Sequence, residues 1–314
     1  MKRITLILAF AAWCAAYSGA TEGALNGRFT INPNGSQIVF SKGNLQYDTL
    51  SGTWSFAENQ YDVIGYANGF NGIIDLFGWG TGNKPAQIST DTLDYNKFYD
   101  WGDNAISNGG NAAKQWRTPA YTDWYYIFLR RPNAEDLFAL GSVNGVNGVI
   151  LLPDDWKGPS LVSSVLEGLE RTTDNYFFDE WENHDHYEDN VLTAEEWLEW
   201  EAQGAVFLPA AGYRSGKDAH VPNISGYYWT KTRYNKRYLA YSFNFYRSYL
   251  YPYEYYTLDD GQSVRLIQNA PVIVATDIDK VQGEDTQCTK VFRNGKLYLM
   301  RNGILYDMQG KQVR

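Results

Sequence analysis

The sequence predicts an α+β fold of short antiparallel strands, two main helices and long loops, with a small C-terminal β-hairpin segment. Three observations carry this. Gly, Asn and Tyr are plentiful while Ala/Leu/Lys runs are scarce, which favours strands and turns over a helical bundle. Apolar residues recur mainly with period two, in short runs bounded by turn residues, the mark of half-buried strands. Helix-start chemistry stands out at two places, Thr118-Pro119 and Thr193 to Glu196.

Taken in order, Lys2 and Arg3 precede an apolar run from Ile4 to Ala16, and Ser18-Gly19-Ala20 offers a small-residue cleavage site. Residues 1–20 therefore read as a signal peptide and are excluded from the fold. The run is too short to span a bilayer, and no other stretch approaches that length. Trp13, and the lack of a Leu three positions before Cys14, argue against lipid attachment there. Removing Cys14 leaves Cys288 alone, so an exported chain would carry no internal disulfide and must be stabilised by its core.

From Arg28 the pattern is a meander. Phe29 and Ile31 alternate, Asn32-Pro33-Asn34-Gly35 turns, and Ile38-Val39-Phe40, Leu45-Gln46-Tyr47 and Thr53-Trp54-Ser55-Phe56 follow. Residues 57–110 show no period and read as a long ordered loop anchored by Trp79 and Trp101. Thr118 as N-cap and Pro119 at the first position start a helix through Trp124 and Phe128 that ends before Arg131-Pro132. Val149–Pro153 is a short buried strand. Thr193 and Glu196 form a capping box opening a second helix anchored by Trp197 and Leu198, which ends at Gly204. Ala205–Pro209 is another apolar strand.

The stretch from Gly226 to Ile267 is the most biased in the chain. Eleven of the 25 tyrosines fall between Tyr227 and Tyr256, with five basic residues (Lys231, Arg233, Lys236, Arg237, Arg247) and one acid, Glu254. Tyr gives large contact area at low entropic cost, as binding loops exploit. Leu239, Tyr241, Phe243 and Phe245 alternate with Ala240, Ser242 and Asn244 as a strand with one buried face would. Tyr249, Tyr251, Tyr253 and Tyr255 repeat that period, with Pro252 marking an edge or loop. The expected binding residues are Tyr227, Lys231, Arg233, Tyr234, Arg237, Tyr238, Tyr246, Arg247, Tyr249, Tyr251, Tyr253 and Tyr255; an aromatic sheet with half its rings packed inside is the competing reading. Ser263–Ile267 is the closing strand. Composition changes at Ala270-Pro271, so a domain over residues 21–268 is expected to give way to a linker and short β segment over 269–314, with hairpin turns at Asn294-Gly295 and Asn302-Gly303.

Net charge is −9, which disfavours nucleic acid as a partner. The charge is uneven: Thr172 to Tyr213 holds eleven acids and no Lys or Arg, whereas the Tyr-rich stretch is locally basic and suits an acidic ligand.

Four blocks resemble a known family. Trp116-Arg117-Thr118-Pro119 with Trp124, then Val206–Arg214 (VFLPAAGYR), Gly226–Thr232 (GYYWTKT) and Gly261–Leu266 (GQSVRL), stand in the order of similar blocks in the formylglycine-generating-enzyme-like branch of the C-type lectin fold. That branch includes the major paralogous domain family of fibrolytic bacteria. The resemblance covers about residues 28–268 and implies a C-type-lectin-like scaffold. The oxygen-dependent enzymes of this fold hold copper with a cysteine pair, which this chain lacks, so the resemblance implies no such activity. Metal-free relatives serve as binding scaffolds, among them the variable proteins of diversity-generating retroelements, whose Tyr- and Asn-rich variable stretch lies where residues 230–260 lie here. Lys231, where the family usually has Ser, and the tail after residue 268 depart from the pattern. The ending Leu305–Val313 is similar to short end segments of proteins exported by anaerobic Gram-negative bacteria.

Other chemistry is sparse. His184-Asp185-His186 with Glu182, Glu188 and Asp189 has residue types that suit zinc or calcium, but the Gly of a calcium loop is absent and the run reads as a solvated acidic loop. No catalytic or metal residue is assigned, and a structural calcium is the one cofactor considered. No G-x-S-x-G elbow, phosphate loop or dinucleotide fingerprint occurs. The expected function is an exported protein, secreted or at the outer surface of a Gram-negative bacterium, that binds a glycan or protein ligand on another cell or host through a Tyr/Arg-rich face. The alternative is a polysaccharide- or peptide-directed enzyme of the same fold.

Overall fold

The computed structural model describes residues 22–64, 72–162, 176–177, 184–235, 237–247, 249–271, 288–293, 296–301, 304–306 and 312–313. The expected signal peptide lies outside these residues. The chain divides into two units, Met1–Pro271 and Val272–Arg314. The first runs past residue 268 because Gln268 and Asn269 pair with Val39 and Ile38.

In the first unit, β1 (Phe29–Thr30) and β2 (Gln37–Phe40) pair across the 32–35 turn, and β3 (Leu45–Asp48) and β4 (Thr53–Phe56) form the next hairpin. β5 (Ile73–Ile74) adds to β3. Then come α1 (Tyr121–Leu129), β6 (Phe138–Val143), β7 (Val146–Leu151), β8 (Tyr176–Phe177), β9 (Val191–Leu192), α2 (Ala194–Ala202), β10 (Val206–Pro209), β11 (Tyr213–Ser215) and β12 (Asp218–His220). Three longer strands follow, β13 (Ser225–Arg233), β14 (Leu239–Tyr246) and β15 (Tyr249–Thr257), before β16 (Ile267–Asn269) returns to β2. The larger sheets are ordered β10-β7-β6-β9 and β13-β14-β15-β8. Among the described pairs of strands only β6–β9 is parallel. Short strands in small sheets with two α-helices make this an α+β fold. In the second unit β17 (Cys288–Arg293), β18 (Lys296–Arg301), β19 (Ile304–Tyr306) and β20 (Gln312–Val313) form an antiparallel sheet in that order. The expected hairpin turns at 294–295 and 302–303 fall outside the described residues. No described helix is long and apolar enough to cross a membrane.

Local chemistry explains most boundaries. α2 starts on the expected capping box: Glu196 N donates to Thr193 Oγ1 (3.2 Å) and Thr193 N to Glu196 Oε2 (2.8 Å). α1 starts later than expected. The Thr118 hydroxyl donates to Asp100 Oδ1 (2.6 Å), so Thr118 is spent on the preceding loop. Asp123 Oδ2 instead takes the Ala120 amide (2.9 Å) and the Arg117 guanidinium (2.7 Å). The fully buried β6 was not expected. It pairs with β7 across Asn144-Gly145, whose φ values of 52° and 77° are those of a tight hairpin turn.

The sheet β13–β14–β15 is an inner layer. One face packs on α1: Phe243 lies 5.0 Å from Trp124 and 4.8 Å from Phe128, in a core with Tyr228, Phe245 and Leu250. The other face meets the long 57–110 segment, where Trp79 Nε1 donates to Thr230 O (3.0 Å) and Trp229 Nε1 to Phe77 O (2.7 Å). β14 was expected to bury one face; it buries both, since Ala240, Ser242 and Asn244 are as enclosed as Phe243 and Phe245. Each large ring so buried contributes about 1.5–3 kcal/mol. A Cβ at Gly226 would fall 2.1 Å from the Phe245 ring, which explains the glycine that opens β13's aromatic run.

Buried polar groups join these layers. Arg265 is fully buried, donating to Asn44 Oδ1 (3.3 Å) and to Gln60 Oε1. Gln60 also accepts from Phe207 N (2.8 Å) and donates to Glu201 Oε2 (2.9 Å), and Asn44 donates to the Tyr228 hydroxyl (3.2 Å), itself bonded to Pro209 O (2.9 Å). Burial pulls the Arg265 guanidinium down to about 10. Arg265→Ala would strand Gln60 and Asn44, and denaturant unfolding should register a loss of about 3 kcal/mol or more. A loss below about 1 kcal/mol would show that the network is dispensable.

Asp75 is another buried ionisable group. Burial pushes its carboxyl up from 3.8 to about 6, opposed by the Ile64 amide (2.7 Å to Oδ2). A carboxyl raised in the folded state adds stability that is full below the unfolded value and lost as pH climbs through the folded one. Asp75→Asn should therefore flatten the pH dependence of unfolding free energy between pH 3.8 and about 6. A profile identical to wild type in that window would contradict the assignment.

Candidate functional site

A bulge sorts the tyrosines. β14 and β15 pair in register from Leu239↔Thr257 to Ser242↔Glu254, and again from Asn244↔Tyr251 to Tyr246↔Tyr249. Between those points β15 carries one residue more than β14, at Pro252-Tyr253. Proline has no N–H to donate, and the extra residue reverses which way the following side chains point. Tyr249 and Tyr251 therefore share a face with Asn244 and Tyr246, while Tyr253 and Tyr255 share the opposite face with Tyr241. The expectation that Tyr249, Tyr251, Tyr253 and Tyr255 line one face is corrected accordingly.

On the α1 side the rings form a continuous ladder. Tyr253 lies 5.6 Å from Tyr125 and 5.8 Å from Tyr121, and Tyr121 stacks on Tyr241 at 4.4 Å. Tyr234 meets Tyr241 edge-on at 5.3 Å and stacks on Tyr255 at 4.4 Å. The ladder runs from the core outward: burial raises the Tyr241 hydroxyl above its usual range, whereas Tyr255 is 44% exposed and Tyr238 48%.

The end of β13 and the β13–β14 connection supply cations at the outer end. Lys231 and Arg237 are exposed. Arg233 turns to the other flank of the sheet, where it lies 5.5 Å over the Trp79 ring and donates to Asn96 O (2.8 Å) and Arg237 O. Trp79 and Asn96 also line a pocket of about 150 Å³ with Tyr95, Tyr99, Lys84 and Lys97. Arg247 is not part of this group. It sits over Tyr246 (5.5 Å) at the far end of the eight-residue β14, roughly 25 Å away at about 3.3 Å per residue. The basic residues thus make two separate sites.

Away from α1 the tyrosines are more enclosed. Tyr227 is buried between Tyr213 (5.3 Å) and Tyr256 (5.2 Å), and Tyr249 lies 4.7 Å from Tyr251 and 5.5 Å from Tyr246. Burial, reinforced by Tyr227, Tyr251, Tyr246 and Glu254, pushes the Tyr249 hydroxyl up to about 12. Burial likewise raises Tyr227 and Tyr256.

Sequence reasoning missed Tyr121, Tyr125 and Tyr241 as members of the ladder. A helix period put only Trp124, Ile127 and Phe128 on the inward face of α1; Tyr121 and Tyr125, at spacing i and i+4, were a readable signal. Elsewhere, His184, His186 and Asp189 come together with ligating atoms all within 4.8 Å. Hydrogen bonding to Asp189 raises His184 above its usual value. Glu182 lies outside the described residues, and Asp185 is used to accept the Tyr187 amide (3.0 Å).

A family described as a domain of unknown function (DUF8237) matches residues 177–267, a range that takes in α2, β10 to β15 and every expected binding residue. No curated protein and no solved structure matches the chain.

Proposed function

We propose that this chain is a ligand-binding protein whose recognition face is the α1-side tyrosine ladder with the cations at the end of β13 and in the β13–β14 connection. One observation carries the reading: Tyr234 and Tyr255 stack at 4.4 Å at the outer end of the ring ladder, and the same short stretch of chain that carries Tyr234 also carries exposed Lys231, Arg237 and Tyr238. A rooted ring loses little entropy on binding, and flat π-faces beside cations suit sugar rings bearing carboxylate or sulfate. An anionic glycan fits this face best within the glycan-or-protein class. The residues supply rings, hydroxyls and cations, the chemistry of binding rather than of acid–base catalysis.

The four family-like blocks support a C-type-lectin-like scaffold of the formylglycine-generating-enzyme-like branch, on which this face would be a variable one. The signal-like residues 1–20 support an exported setting, secreted or at the outer surface of a Gram-negative cell.

The cationic contribution is tested with Lys231→Ala/Arg237→Ala, two exposed residues whose loss should leave the melting temperature unchanged. Binding to a sulfated polysaccharide such as heparin should weaken by roughly fivefold, about 1 kcal/mol, and its salt dependence should become shallower. Equal affinity and equal salt slope in the double variant would refute the cationic role. Arg233→Ala is a poorer probe, because Arg233 also braces Asn96 and Trp79.

A further inference from the structure

The turn at residues 184–189 brings two imidazoles onto one carboxylate. His184 Nε2 lies 2.5 Å from Asp189 Oδ1, and His186 Nδ1 lies 2.8 Å from Asp189 Oδ2. The His184 and His186 rings meet edge-on, 4.9 Å apart. We propose that His184, His186 and Asp189 form a three-ligand site for a divalent ion of the zinc class. This is independent of the recognition face.

The backbone holds two of the ligands ready. Residues 186–188 form a 3-10 turn capped by Asp185, and such a turn stacks positions i and i+3, here His186 and Asp189. The turn is fixed from beneath and behind. Tyr187 is buried in the core and donates its hydroxyl to Ile224 O (2.9 Å). Asn190 donates to Leu140 O (2.9 Å) and accepts from Ser142 N (2.8 Å), which seats the end of the turn on β6. His186 is 2% exposed, so its ring cannot swing away. His184, with a side chain 44% exposed, approaches from the solvent side.

The donor set selects the ion. Zinc takes imidazole nitrogen and carboxylate oxygen at about 2.0–2.2 Å in a tetrahedron, which places donors about 3.3 Å apart. The two His–Asp contacts of 2.5 and 2.8 Å need to open by under about 1 Å, while the donor atoms, all within 4.8 Å of one another, need to close by at most about 1.5 Å; the exposed His184 is the ligand able to give. Three protein donors leave the fourth position of a tetrahedron for water or an outside ligand. Calcium and magnesium require oxygen ligands nearly throughout, so two imidazoles reject them. The structural calcium considered from the sequence is replaced here by a borderline nitrogen-binding ion.

The test is calorimetric titration of zinc chloride into the tag-free, chelator-treated full chain, beside His184→Ala and Asp189→Asn. Wild type should take up one equivalent, and each variant should lose at least about tenfold in affinity, the least that altering even an outer-shell partner costs. Excess calcium should not displace the ion. His184→Ala should keep the metal-free melting temperature, because its ring is exposed, and it decides the matter if Asp189→Asn does not fold. No uptake by wild type, equal uptake by wild type and His184→Ala, or displacement by calcium would each overturn the proposal.

Discussion

A guanidinium with amide oxygens for partners holds the first unit's layers in place. Arg265 is fully buried, and its hydrogen-bond acceptors are Asn44 and Gln60. Desolvating a charge costs several kcal/mol unless its donors are met, so the residues around Arg265 have little positional freedom. Gln60 reaches α2 through Glu201 and β10 through Phe207 N. Asn44 reaches β13 through Tyr228, whose hydroxyl closes on Pro209. Elements from both ends of the unit thereby meet around one side chain. Arg214, buried and bonded to Leu76 O and Gly216 O, plays a similar part at the other side of the 260s. The Arg-containing blocks that resemble a family are thus scaffold in this fold.

That scaffold makes β13, β14 and β15 an inner layer, and the layer dictates where a binding face can lie. With Trp124 and Phe128 on one face and the Trp79–Trp229 contacts on the other, the middle of β14 offers nothing to solvent. The strand ends and the tyrosines of β15 emerge. The bulge at Pro252 then decides which tyrosines emerge where, sending Tyr253 and Tyr255 to the α1 side and Tyr249 and Tyr251 to the other. A ladder anchored on the core by half-buried Tyr125 and ending in exposed Tyr255 is rigid at its base and accessible at its tip.

Much of this was legible from residue chemistry. The capping box at Thr193 to Glu196, the 32–35 turn, the strands around Val149 and Phe207 and the anchoring of the long loop by Trp79 and Trp101 follow from local rules that tertiary contacts did not override. What was hidden had tertiary causes. Thr118 looks like a cap but serves Asp100, eighteen residues upstream. The bulge depends on β15 pairing across Pro252, and a period count along one strand cannot register a residue inserted relative to its neighbour. The double burial of β14 depends on a loop from residues 57–110 folding over it. β6 was a different case: Asn144-Gly145 between two apolar runs is the same hairpin signal recognised at 294–295, and it was readable without the structure.

The proposed recognition surface is the α1-side tips of the ladder and not the opposite tyrosine cluster. It is tested most directly by a glycan and host-protein array probed with three proteins: the full chain, Tyr234→Ser/Tyr255→Ser, and Tyr246→Ser/Tyr251→Ser. Binding should disappear in the first double variant and persist in the second, and the first should keep its melting temperature. Binding that survives loss of Tyr234 and Tyr255 but not of Tyr246 and Tyr251 would place recognition on the other face. A collapse of stability in the first variant, with wild type binding nothing, would mean that the ladder is core and that the function lies elsewhere.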